Sequence, residues 1–231
     1  MKFISSHQSC FAPYIGYWHK VINSEEFIIN NQSQFSKNSF YYRTFMPKIN
    51  LNDLSYIKVP IQKQKNIPIY DVKLKLDYKT NLKKRFDSIF ELYQNEINVN
   101  IIKDLVQKFW DFDFKYLYEV NNFFFDLIYN YLELSTKIYQ DFDSKTFQHL
   151  TTSERIGARL ANISNQQKYV YISGQSSVKY FNINEFKKYY KGEMVCQFVR
   201  NDFYHGSILH YLMTKQKTEI IPYINSRFGM K

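Results

Sequence analysis

The segment His7-Gln8-Ser9-Cys10-Phe11-Ala12-Pro13-Tyr14-Ile15-Gly16-Tyr17-Trp18-His19-Lys20 constrains the fold of this chain more than any other. A short apolar run, Phe3-Ile4, precedes it and reads as a first strand. Tyr14, Tyr17, Trp18 and Val21 then recur at helical spacing. Pro13 is suited to open that helix, because the N–H it lacks would have no partner there. An ordinary strand-to-helix connection requires a turn and a cap, not a His-Gln pair followed by an aromatic frame. His7 and Gln8 are therefore expected at the C-terminal end of a strand, where α/β sheets gather their chemistry.

Further strands and helices follow the same logic. Glu26-Phe27-Ile28-Ile29 reads as a second strand and runs into the polar tract 30–38, which leads to Tyr41-Tyr42-Arg43. Ser55 to Ile61 reads as a third strand, with Pro60 near its end. Val72, Leu74 and Leu76 alternate with Lys73, Lys75 and Asp77, which predicts a half-buried strand over 69–76. Three apolar stripes, from Leu82 to Tyr93, from Ile102 to Phe109 (with Asn98 as its cap) and from Leu117 to Tyr131, predict a helical layer or insertion over 79–134. Thr151-Thr152-Ser153-Glu154 has capping-box spacing ahead of a helix over 155–164. Tyr169 to Ile172 reads as a buried strand entering the turn Ser173-Gly174-Gln175-Ser176-Ser177, whose backbone N–H groups suit a phosphate or merely a tight connection. Met194 to Val199 is a last strand. The expected fold is α/β: a mixed sheet with flanking helices in one domain, residues 1–231.

Composition removes several classes. Hydrophobic residues make up 45% of the chain and aromatics 19%, too many for a disordered protein. No stretch approaches the roughly 20 apolar residues that span a bilayer, and no apolar run of secretory length follows Met1-Lys2. Two cysteines, Cys10 and Cys196, make no disulfide framework. These features predict a cytoplasmic protein. The net charge of +10 is divided as +9 over 1–85, −6 over 86–151 and +7 over 152–231. Basic flanks attract phosphate-bearing partners, although a solvated lysine-rich face has the same composition. Lys73, Lys75, Lys79, Lys83, Lys84 and Arg85 would be the footprint of a nucleic-acid-binding module, but no aromatic-basic reader motif accompanies them. Walker, dinucleotide, zinc-binding and Gly-x-Ser-x-Gly motifs are all missing. The sequence implies no metal set and identifies no cofactor.

The segment 7–20 resembles the N-terminal signature of the WbqC-like proteins, with Ser9 in place of a proline. Ile57 to Ile61, the Tyr171, Ser173, Gly174 and Tyr180 pattern, and the 206–210 segment with His210 in place of an acid extend the resemblance along the chain. Gln34, Phe35, Lys37 and Arg43 match a further pattern, in which Asn31 and Gln32 replace two acids. The resemblance implies an enzyme of bacterial surface-polysaccharide (O-antigen or capsule) or related sugar modification. It implies a transferase, in one version amide-forming, acting on a phosphate-bearing substrate such as a nucleotide-sugar. Under it, His7 and Gln8 are the catalytic candidates, with His7 as general base; Tyr14, Gln34, Lys37, Arg43, Ser173, Gly174 and Tyr180 would bind substrate, with Lys37 and Arg43 on its anionic groups. An amide cannot replace a carboxylate as a base or as a ligand for a hard cation, so a non-catalytic member of the family is an alternative.

Overall fold

The computed structural model describes residues 1–37, 39–47, 54–64, 66–143, 145–147, 149–163, 169–199 and 206–231. Asn38 of the polar tract and Ser164, the last residue of the predicted 155–164 helix, lie outside them.

The fold is α/β, built on a six-stranded mixed sheet. Its strands are β1 (Phe3–Gln8), β2 (Glu26–Asn30), β5 (Lys137–Asp141), β6 (Val170–Ser173), β7 (Met194–Val199) and β8 (Phe228–Met230). They lie in the order β5-β2-β1-β6-β7-β8, all neighbours parallel except β8 against β7. A separate antiparallel ribbon joins β3 (Arg43–Pro47) to β4 (Leu54–Lys58).

Side-chain alternation sends successive residues of a strand to opposite faces. Phe27 and Ile29 of β2 join one core with α1 (Ile15–Ile22), α2 (Tyr78–Leu92), α3 (Val99–Gln107), α4 (Leu117–Tyr131), α7 (Ile208–Thr214) and α8 (Lys217–Arg227). Ile28, between them, joins Ile4, Tyr169 and Tyr171 in a second core under α5 (Thr152–Ile163) and α6 (Ile183–Tyr189). Trp18 is wholly buried and stacks on Phe125 with ring centroids 5.1 Å apart, which fastens α1 to α4. Helices thus cover both faces, as a largely parallel sheet requires.

Three local expectations change. Pro13 does not open α1: Tyr14 is the cap residue, and Pro13 stands one position before it. Residues 69–76 form no strand; Ile69–Asp71 is a 3-10 turn, and only isolated bridges tie Lys73 and Leu74 to Tyr116 and Ile61. Leu76 is fully exposed, so the alternation that predicted a strand stops after Leu74. β3, β5, α6, α7, α8 and β8 were not predicted; β5 reads Lys-Ile-Tyr-Gln-Asp, without the apolar run of an interior strand. The capping box before α5 forms, with Thr151 Oγ1 accepting from the Glu154 N–H and Glu154 Oε2 accepting from the Thr151 N–H.

The α5–α6 contact depends on Gly157. A Cβ there would stand 2.6 Å from the Phe186 carbonyl oxygen, a backbone atom that cannot rotate away. Gly157→Ala is expected to destabilise the protein by about 1–3 kcal/mol through overpacking. A thermal melt checks this; an unchanged midpoint would mean that the two helices sit further apart in solution.

Candidate functional site

β1 occupies the point where the strand order reverses: the chain leaves it toward β2 and β5 on one side and returns to β6 and β7 on the other. Helices diverge at such a point, and the crevice beyond the strands' carboxyl ends is where open α/β sheets bind ligands. A cavity of about 520 Å³ lies there. Ser6, His7 and Gln8 line it from β1, Tyr171 from β6, and Gly174, Ser177, Lys179 and Tyr180 from the turn after β6. Tyr14 and Lys20 line it from the α1 segment and Gln197 from β7. His7, Gln8, Tyr14, Gly174 and Tyr180, separated by up to 173 positions in sequence, therefore share one cavity.

Ser173 is adjacent but turned away. Its side chain is buried, and its hydroxyl donates to the Val195 carbonyl oxygen at 3.3 Å, holding β6 to β7. The turn after Gly174 is a 3-10 helix, Gln175–Lys179, closed by the Ser177 N–H on the Gly174 carbonyl.

The loop from Ser9 to Tyr14 is held from several directions. Ser9 donates its N–H to the Asn30 carbonyl, a bond that a proline at this position would forbid. Its hydroxyl accepts from Asn121 Nδ2 of α4. Ala12 adopts φ +39°, a left-handed conformation that costs a residue with a Cβ. Its carbonyl accepts two hydroxyl hydrogen bonds, from Thr44 and Ser207, each at 2.8 Å. Surrounding bonds that over-determine a strained residue are a feature of functional loops.

His7 and Lys20 carry the electrostatics. His7 Nδ1 lies 3.1 Å from the Gln8 carbonyl oxygen and 3.8 Å from Cys10 Sγ, and its ring packs 4.9 Å from that of Tyr17. Burial, reinforced by the neighbouring Lys20 charge, pushes the imidazole pKa down to about 3, so the ring is neutral near pH 7. The tautomer that donates Nδ1–H to Gln8 leaves Nε2 as an acceptor. Lys20 is 4% exposed and donates to the Ser6 carbonyl at 2.9 Å. Burial lowers its pKa to about 8 against the opposing pull of Cys10 and Cys196. Cys10 itself is pushed up to about 12 by burial and stays a thiol. Lys20 was not singled out from the sequence, yet it follows Gly16 and Tyr17 by four and three positions, a spacing that places it on the buried face of α1.

The other candidates lie elsewhere. Gln34 is exposed, bridges to Pro68 and donates to Asn66 Oδ1. Lys37 is exposed, and its carbonyl accepts from the Tyr42 hydroxyl. Arg43 begins the ribbon, its guanidinium 5.1 Å from the centre of the Tyr56 ring. None of the three lines the cavity. Asn31 and Gln32 bind β5 instead, donating to Gln140 Oε1 at 2.6 Å and to Asp141 Oδ2 at 3.0 Å. His210 lies 2.9 Å from the Tyr93 hydroxyl, and burial lowers its pKa to about 4. In the basic stretch, Lys79 pairs with Asp113, Lys83 with Asp87, and Arg85 donates to the Tyr56 carbonyl. Among the described residues no three His, Cys, Asp or Glu side chains gather as a metal set, and no helix is long and apolar enough to cross a membrane.

Comparison with curated proteins and with solved structures returns no match. The family model described as the WbqC-like protein family matches residues 8–205. That span contains most of the cavity lining, including Gln8, Lys20, Gly174, Lys179 and Tyr180 though not His7, and the chain belongs to the WbqC-like protein family.

Proposed function

We propose that the cavity receives a phosphate-bearing activated sugar or glycan intermediate, and that the protein modifies it by group transfer in bacterial surface-polysaccharide (O-antigen or capsule) or related sugar modification. One observation carries this reading: among the described residues the lining includes two lysines, Lys20 and Lys179, and no carboxylate. Such a wall attracts an anion and repels nothing in it. Gln8, Tyr14 and Tyr180 supply hydrogen-bonding groups of the kind that sugar hydroxyls use. Family membership supports the pathway class, an amide-forming transfer being the most concrete version. The unpaired cysteines support a cytoplasmic setting. We read residues 1–231 as one domain, with 79–134 as a helical layer against the sheet.

The non-catalytic alternative rested on Asn31 and Gln32. Both face β5 and neither lines the cavity, so their amides remove no group from it. The nucleic-acid alternative loses support because Lys79, Lys83 and Arg85 are engaged by neighbouring groups.

A panel of nucleotide-sugars and sugar phosphates, each beside its phosphate-free counterpart, tests the reading. Ligand at 100 times its Kd stabilises a protein by about 2.7 kcal/mol. For a chain of this size that raises the melting temperature by about 5–10 °C. Phosphorylated members should produce the shift and free sugars should not; equal response to both, or to neither, discards the proposal.

A further inference from the structure

Lys20 stands out among the buried groups because no carboxylate among the described residues pairs with it. Its ammonium uses one donor on the Ser6 carbonyl, and no carboxylate lies within ion-pair distance among the described residues. His7 from β1, Cys10 from the following loop and Cys196 from β7 surround it, with Lys179 across the cavity. Burying a charge without a partner is costly, and a purely structural position would be filled better by an apolar side chain. The residue lines the cavity wall, so an acceptor for its remaining donors can be supplied from the cavity.

We infer that Lys20 is the anion receptor of the cavity, its missing counter-charge being supplied by a phosphoryl or other tetrahedral oxyanion of the ligand. The inference rests on the reading of the cavity as the substrate site and assigns the anionic group to one side chain within it. The ammonium, bonded to the Ser6 carbonyl and facing no carboxylate among the described residues, gains its counter-charge on binding. Because the free ammonium loses its proton at about pH 8, binding above that pH must bring a proton with the anion. Affinity is therefore highest below pH 8 and falls as the pH rises above it. His7 contributes no charge over this range, and Cys10 remains a thiol.

The test uses sulfate, whose charge is constant from pH 6 to 10, and pyrophosphate, measured by calorimetry in buffers of different ionisation enthalpy. Lys20→Met should melt no lower than wild type, because an apolar chain of similar length replaces an unpaired charge. Its affinity for both anions should fall about 10–100-fold, the loss of a charge-assisted hydrogen bond. Lys20→Arg should keep the affinity and lose its decline above pH 8. Sulfate affinity unchanged in Lys20→Met overturns the inference, as does a Lys20→Arg profile that declines like wild type. If Lys20→Met fails to fold, proton uptake by the wild-type protein decides: none on sulfate binding at pH 8.5 also overturns it. Oxyanion binding that depends on Lys20, without any response to sugar phosphates, supports the receptor and discards the sugar reading alone.

Discussion

His7→Asn is expected to lower turnover by about 10²–10⁴-fold, the usual contribution of a positioned general base, while the melting temperature stays near that of wild type. The ring lies in the cavity wall at the end of β1, and its Nδ1–H has a local acceptor in the Gln8 carbonyl. Asn can keep a donor near that carbonyl but has no basic nitrogen to replace Nε2. With its pKa near 3, the imidazole is a weak base, and an anionic ligand raises that value by stabilising the imidazolium. The kcat/KM profile, which reports groups of the free enzyme, should therefore show no acid limb near pH 6.5, where an ordinary histidine titrates. Turnover on the best substrate of the phosphorylated panel, followed from pH 4 to 9, measures both effects. A rate within twofold of wild type would make His7 a structural hydrogen-bonder.

The second large effect is on stability, and it sits at the sheet edge. Asp141, last residue of β5, lies 2.9 Å from Arg159 Nε of α5, with both side chains about one-tenth exposed. The carboxylate also accepts from Gln32 Nε2 and from the Asp143 N–H. Arg159→Met leaves that carboxylate buried with two neutral donors, and breaking such a pair on one side costs about 3–5 kcal/mol. Urea denaturation should show the midpoint falling with an unchanged slope. Adding Asp141→Asn should recover much of the loss, because the unpaired charge is removed. A loss below about 1 kcal/mol would place the pair in the class of solvated surface bridges.

The same corner explains part of what the sequence concealed. β5 has no apolar run because it is an edge strand: Ile138 and Tyr139 are half-buried, and Asp141 points to Arg159 rather than into the core. Strand prediction from periodicity fails for such a segment. Residues 69–76 failed in the opposite way, since Val72 and Leu74 are buried in irregular backbone that only resembles a strand. β2, β6 and the stripes of α2 to α4 were legible because they bury continuous apolar surface, and β1 and β7 because short apolar runs, Phe3-Ile4 and Met194 to Val199, mark them although they bury little of it. At the cavity, the His7-Gln8 pair and Gly174 were legible as strand ends. Lys20 was legible only as the last residue of the family-like segment 7–20 and not as a site residue, because a charged residue on a buried face violates the pattern used to find that face. Lys37 and Arg43 carry suitable charge, but their placement follows the β3–β4 ribbon, which composition does not reveal.

The clasp on the Ala12 carbonyl bears on when the cavity can form. Thr44 lies 32 residues from Ala12 and Ser207 lies 195 residues away, and β1 pairs with β6 across a similar span. Contacts so distant in sequence incur the loss of chain entropy before they return any stabilisation, and they slow folding. A chain emerging from the ribosome makes its first strand early but cannot seat it between β2 and β6, or close the loop beside it, until some 200 residues have been synthesised. Until then the central strand has one open edge, the state in which strands pair with the wrong neighbour. The polar Ser5, Ser6, His7 and Gln8 in that strand make it a poor seed for such pairing. The residues that suit β1 to chemistry in the finished fold thus also protect it while it waits for its partner.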